Sequence, residues 1–280
     1  MTRAASFFFI LALSLGIVVP CTAQEPTGAN RPFEISDNSF LVEEAFNQEL
    51  NVVQNIFSFM RSSDGRYDGS YTQEWPVGGQ QHQFSYTVPF AIVAGRHGVG
   101  DVLLNYRYQA TEEHGAVPAF SPRVSIVVPS GSQSRGFGSG VYGWQVNLPF
   151  SKQVGNVYFH WNVGGTYLPH VHEGAADRTA GTNLWSPTVA GSAIVRVAPM
   201  FNLMLETVAF SNESLVSAGV TDHARGVIVS PGFRGGWNLA EKQVIVGIAF
   251  PTSYDANADR SYGVLTYFSY ELPFGPTAKK

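Results

Sequence analysis

Along most of the chain apolar and polar residues alternate with a period of two. In "YGWQVNLPF" (142–150) one parity carries Tyr142, Trp144, Val146, Leu148 and Phe150, and the other Gly143, Gln145, Asn147 and Pro149. Successive side chains of a strand point to opposite faces, so the pattern predicts a strand with one aromatic face and one polar, uncharged face. The alternation recurs in "HQFSYTVPFAIVAG" (82–95), "VYFHWNVG" (157–164), "FNLMLETVA" (201–209), "GVIVSPGFRGGWN" (226–238) and "YGVLTYFSYELPF" (262–274). No comparable stretch has the period of a helix.

Twelve strands are expected, near 52–63, 67–77, 82–95, 98–111, 118–130, 142–151, 157–169, 185–198, 201–211, 225–238, 242–253 and 261–274. The first is the weakest, because "VVQNIFSFM" alternates poorly. "VGGQ", "KQVGN", "AP" and "NLAEK" are short connections. Between them lie longer ones, "SGSQSRGFGSGV", "HVHEGAADRTAGTNL", "SNESLVSAGVTDHA" and "SYDANADRS". "EEHGAVP" is long where a short turn is expected, and "AGRHG" short where a loop is expected. Tight turns at one end and long loops at the other are the pattern of an outer-membrane barrel.

The polar parity decides which face looks at what. A soluble sandwich would carry plentiful Lys, Glu, Asp and Arg there. This parity is instead Gly, Ser, Thr, Asn, Gln and Tyr with at most about one charge per strand, which describes a lumen. The apolar parity is free of charge on the strands that hold Phe84, Trp144, Phe159, Leu203, Val227, Val246 and Phe268. A Lys or Arg facing lipid at mid-bilayer costs about 2–4 kcal/mol, so contact with hydrocarbon enforces that absence. Trp75, Tyr142, Phe150, Trp185, Trp237, Tyr262 and Phe274, near strand ends, suit two interfacial girdles. The expected fold is therefore all-β: a closed, antiparallel, up-and-down transmembrane β-barrel of about twelve strands over residues 51–275.

Composition agrees with that reading. Of 280 residues 14% are charged, against roughly 25% in soluble domains. Arg3, the apolar run "FFFILALSLGIVV" and a small-residue site after Ala23 read as a signal peptide over 1–23, which implies export to the outer membrane. Cys21, the single cysteine, would leave with it, so no disulfide is expected. Loss of Arg3 takes the formal charge from −4 to −5, and with no basic cluster nucleic acid is excluded as a partner. Residues 24–50 read as an N-terminal periplasmic arm, although "EEAFNQE" (43–49) suits an arm or a plug equally, and 276–280 form a C-terminal tail.

Several segments carry a resemblance: "FLVEEAFNQE" (40–49), "YTQEWPVGGQQHQFSYTVP" (71–89), "GVGDVLLNYRYQ" (98–109), "SIVVPSG" (125–131) and "GWQVNLPFSKQVGNVYFHWNVGGTYLP" (143–169). Together they resemble the meta-pathway phenol degradation-like family of exported barrel proteins. The resemblance implies an outer-membrane barrel and uptake of aromatic or other hydrophobic compounds. Outer-membrane lipid, a small solute and the barrel-assembly machinery are the partners it implies.

The candidate site is the inward set. Glu74, Gln83, Asn105, Arg107, Arg123, Gln145 and Asn147 come from the first six strands, and His160, Asn162, Glu206, Arg234 and Glu271 from the rest. These residues either line a pore or pair with one another and fill it. His170 and His172, with Glu173 and Asp177 nearby, are weak metal candidates whose ordinary reading is a solvated loop. "GSGVYG" (138–143) precedes a strand rather than opening a helix, so it reads as a loop and no phosphate site. "DANAD" (255–259) lacks the glycine and glutamate of a calcium loop. No nucleophile motif, cofactor motif or energy-coupling motif is present. The expectation is a passive outer-membrane channel that is not an enzyme. The alternative is a non-conducting barrel with a structural, adhesive or hydrolytic role.

Overall fold

The computed structural model describes residues 35, 39–172, 181–217, 219–239, 242–256 and 259–274. The signal peptide, most of the 24–38 stretch, Glu173, Asp177 and the 276–280 tail lie outside the described residues.

Twelve antiparallel strands form one sheet. They are β1 (Val52–Ser62), β2 (Tyr67–Pro76), β3 (His82–Val93), β4 (Arg96–Val99 with Val102–Tyr108), β5 (Ala119–Phe120 with Arg123–Val128) and β6 (Gly143–Val154). β7 (Val157–Val171), β8 (Thr182–Ala198), β9 (Phe201–Ser217), β10 (Val220–Leu239), β11 (Lys242–Ala249 with Thr252–Asp255) and β12 (Arg260–Pro273) complete it. Each strand pairs with its neighbours in sequence. β1 then pairs with β12, from Val52 opposite Pro273 to Ser62 opposite Gly263. The sheet closes into an up-and-down barrel, so no edge is left unpaired.

The interruptions in β5 and β11 fall at Pro122 and Pro251, which cannot donate to the ladder. Their carbonyls still accept, from Tyr108 N at 3.1 Å and Gly263 N at 2.8 Å. Short "AGRHG" is a two-residue turn at Ala94 and Gly95, with φ of 50° and 75°, the left-handed pair that a tight hairpin needs. The expected loop over 211–224 is a correction: β9 and β10 run on as a ladder to Ser217 opposite Val220. Its residues mix Asn, Glu, Ser and Asp with Leu215, Val216 and Val220 in no regular period, so the alternation that marks a lipid-facing strand is missing.

Burial confirms the assignment of faces. Trp144, Leu203 and Leu205 are 52%, 48% and 50% exposed, whereas Arg107 and Glu206 are 2% and 0% exposed. Apolar outside and polar inside is the reverse of a soluble domain, and it is what hydrocarbon around the barrel requires. Tyr142, Trp185 and Tyr262 stand at the loop end of the exterior and Trp237 and Phe274 at the turn end, all exposed. They stand where the two expected girdles would lie, whereas the other two expected members, Trp75 and Phe150, are half-buried.

One part of the interior departs from the polar pattern. Ile56, Ile245, Ala249, Leu265 and Tyr267 make an apolar patch on the lumen face of β1, β11 and β12. Ile35, Phe40 and Leu41 pack against it.

Candidate functional site

Residues 39–50 have no regular secondary structure, and 39–48 lie inside the barrel, with Leu50 exposed at its mouth. Of the two positions open to the "EEAFNQE" stretch, the structure shows the lumen. Val42 and Ala45 are 1% and 0% exposed. A buried extended segment needs a partner for every main-chain polar group, and here the wall side chains supply them.

The wall contacts run in order along the segment. Ser39 and Ser192 share a hydrogen bond of 2.9 Å between hydroxyls. Glu206 Oε1 accepts from Leu41 N at 2.8 Å and from Val42 N at 3.1 Å. Asn162 brackets Glu43, accepting from its N–H and donating to its carbonyl, both at 2.8 Å. Ala45 N donates to Ser151 Oγ at 2.7 Å, while Ser121 Oγ and Gln109 Nε2 each donate to Ala45 O at 2.8 Å. Asn47 N donates to Gln109 Oε1 at 3.2 Å, and Gln48 N to Gln83 Oε1 at 2.6 Å.

Two arginines hold the centre. Arg107 donates to the carbonyls of Glu44 at 3.2 Å and Phe46 at 2.6 Å, to Asn47 Oδ1 at 2.9 Å and to Gln83 Oε1 at 2.9 Å. It also pairs with Glu43 Oε1 at 3.2 Å. Arg123 Nε pairs with Glu43 Oε2 at 2.9 Å, and Asn147 Nδ2 donates to the same oxygen at 2.7 Å. Burial alone would push the Glu43 carboxyl up, but Arg123 and Arg107 beside it outweigh burial and hold it below the ordinary carboxylate value.

Phe40 has a fitted seat. Its ring stacks on Tyr267 with centroids 4.9 Å apart. A Cβ at Gly247 would fall on the same ring, so glycine there leaves the space that Phe40 fills.

The remaining candidates also face inward. Glu74 accepts from Gln83 Nε2 at 2.8 Å, and Asn105 Oδ1 accepts from Arg123 at 3.1 Å. Gln145 accepts from Arg123 at 3.0 Å and donates to Thr166 at 2.9 Å. Arg234 is buried opposite Asn202, and Glu271 is half-buried opposite Gln54. His160 Nδ1 lies 2.7 Å from Ser151 Oγ, a Ser–His pair on adjacent strands. Ser151 is 0% exposed and already receives the Ala45 N–H, so a substrate has no path to that hydroxyl.

Above the segment is a cavity of about 270 Å³. Phe40 and Tyr267 bound it on one side, and Glu43, Arg123, Asn105 and Gln145 on another. Ser70, Thr72 and Thr87 line it too, nearer the loop end of their strands than Gln83 and Arg107 are. The cavity therefore opens from the segment towards the long loops.

His170 and His172 lie at the end of β7, where Gln133 Nε2 donates to the His172 carbonyl at 2.6 Å. Among the described residues no three metal-binding side chains gather. The "GSGVYG" loop is held by Asp101, which accepts from Ser139 N at 2.7 Å and Gly131 N at 2.9 Å. Serines 121 and 151, Gln109, Gly247 and Phe40 were not among the candidates. Their importance rests on contacts with a segment 62 or more residues away for the three polar ones, and no local pattern marks such a contact.

The barrel is similar to the COG4313 outer membrane channel from Pseudomonas putida F1, with a TM-score of 0.64 and 11% identity over 85% of this chain and 100% of that one. The chain has an outer-membrane barrel fold. The NanC porin aligns with a TM-score of 0.48 and 8% identity over 79% of this chain and 100% of that one. No protein-family model and no curated protein matches the sequence.

Proposed function

We propose that the protein is an outer-membrane channel for passive passage of small, hydrophobic or aromatic solutes, and that residues 39–50 form its narrowest point. The observation that carries this reading is the cavity of about 270 Å³ inside a closed, lipid-facing barrel. It joins an aromatic wall, Phe40 with Tyr267, to the polar wall around Arg123, which suits a solute with an apolar body and one polar group. Membership of the meta-pathway phenol degradation-like family belongs to the same proposal, with the quoted motifs as its support.

Single-channel conductance of the refolded protein in a planar bilayer tests it. Discrete steps that an added aromatic acid blocks are expected. The filled lumen favours a second reading, a non-conducting barrel. Silence from the wild type and from a variant with a loosened segment would establish that reading instead.

A further inference from the structure

The contacts to residues 41–48 fall mostly on main-chain atoms. The amides of Leu41, Val42, Glu43, Ala45, Asn47 and Gln48 and the carbonyls from Glu43 to Phe46 are met by wall side chains. Recognition through the main chain is indifferent to most of the occupant's sequence. Glu43 and Asn47 are the exceptions: Arg107, Arg123 and Asn147 converge on the Glu43 carboxylate, and the Asn47 side-chain amide accepts from Arg107 and donates to the carbonyls of Gln80 and Gln81.

The wall groups are also held in place by one another. Gln83 is fixed between Glu74 and Arg107, and Arg123 is fixed by Asn105 and Gln145. A site pre-organised by its own bonds keeps its affinity for any occupant that fits it. We therefore propose that the lumen is a binding site for an extended peptide, read through its main chain and requiring one acidic residue, and that residues 41–48 are its resident occupant. This goes beyond the channel reading and names a second class of ligand. The tether keeps the resident segment at an effective concentration in the millimolar range, so a free peptide binds only when that segment is loosened.

The test uses the full chain in detergent, which makes it independent of conduction. The variant Phe40→Ala with Glu43→Gln loosens the resident segment and leaves the wall intact. A free peptide with the sequence SFLVEEAFNQEL, residues 39–50, is expected to bind this variant saturably and about tenfold or more tighter than it binds wild type. Methylating the peptide nitrogens of the Val42 and Ala45 positions removes donors to Glu206 and Ser151. That change, or Glu to Gln at the Glu43 position, should weaken binding by about tenfold, as expected for a lost hydrogen bond to a buried or charged partner. A peptide of otherwise unrelated sequence that keeps the residues at the Phe40, Val42, Glu43, Ala45 and Asn47 positions should bind within about threefold of the original, well under the effect of one such bond. If the double variant does not give the heat-modifiable band of a folded barrel, Glu43→Gln alone is measured in the same way. Absence of saturable binding to the folded variant overturns the proposal, as does equal binding of the methylated peptide or loss of binding by the unrelated one.

Discussion

On one side of the barrel β4 and β5 are short and interrupted, and they pair only from Val102 opposite Val128 to Arg107 opposite Arg123. Five strands round the ring, β9 and β10 have 17 and 20 residues and pair from Phe201 to Ser217. A tilted strand crosses the bilayer in about 9–11 residues, so the tall side has more ladder than it needs and the short side has little to spare. The segment is distributed accordingly. The short side gives it Arg107, Arg123, Gln109 and Ser121, β6 to β8 give it Asn147, Ser151, Asn162 and Ser192, and β9 gives it Glu206. Where the ladder is brief, long-range bonds through the lumen tie neighbouring strands together; the long β7 and β8 carry such bonds too, but on top of a full ladder.

The largest effect should come from cutting the short side loose. Arg107→Ala removes the donor to two segment carbonyls and one of the two cations on Glu43. Breaking a buried, hydrogen-bonded pair on one side costs about 3–5 kcal/mol, because the partner is left buried without compensation. Residues 39–50 should then become cleavable by protease in the folded barrel, and conductance should rise. A segment as resistant as in wild type would show that the arginine is not what holds it.

Acid acts on the same contact more gently. The Glu43 carboxyl titrates below its ordinary value when the segment is docked. A depressed docked value means that its contribution is fully present above the undocked value, near 4.5, and is lost as pH falls through the docked one. Protease sensitivity of the segment should therefore rise as pH falls below about that point. Glu43→Gln should abolish the rise. A wild-type segment that stays protected throughout, or a variant that keeps the same acid response, assigns the docking to other groups.

These two sides were unequally legible in the sequence. The period-two alternation in β6, β7 and β12 carried the faces, because hydrocarbon on one side and a lumen on the other imprint opposite chemistry on successive residues. Arg107, Arg123 and Glu206 stood out for the same reason, as rare charges on the inward parity. What they bind was not legible. Ala45 meets Ser151 across 106 positions, through an amide that any residue would supply. The apolar lumen patch around Ile245 and Leu265 was missed as well, because it answers to Phe40 rather than to lipid. The top of the tall hairpin, 211–224, was read as a loop because its polar and apolar residues do not alternate there.

That last error leads to the smallest expected effect. Beyond Ser211 and Arg225 the ladder of β9 and β10 carries polar residues such as Asn212, Glu213, Asp222 and His223, with a Glu213–His223 contact of 3.4 Å. Glu213 also accepts from Trp185 N at 2.7 Å and donates its own N–H to Ser186 Oγ at 3.2 Å, so the hairpin is braced on β8 through that residue. An ion pair with one half-exposed partner contributes about 0–1 kcal/mol. Replacing residues 214–222 with a short turn keeps Glu213, His223 and Trp185 and removes only rungs that stand in water. The heat-modifiability midpoint should move by no more than the equivalent of about 0.5 kcal/mol. The same deletion should leave the protease resistance of residues 39–50 unchanged, since none of their wall contacts lies above Glu206 on β9. A barrel that loses its fold or releases the segment on this change would mean that the tall side braces the lumen from above, and the contrast between the two sides would fall.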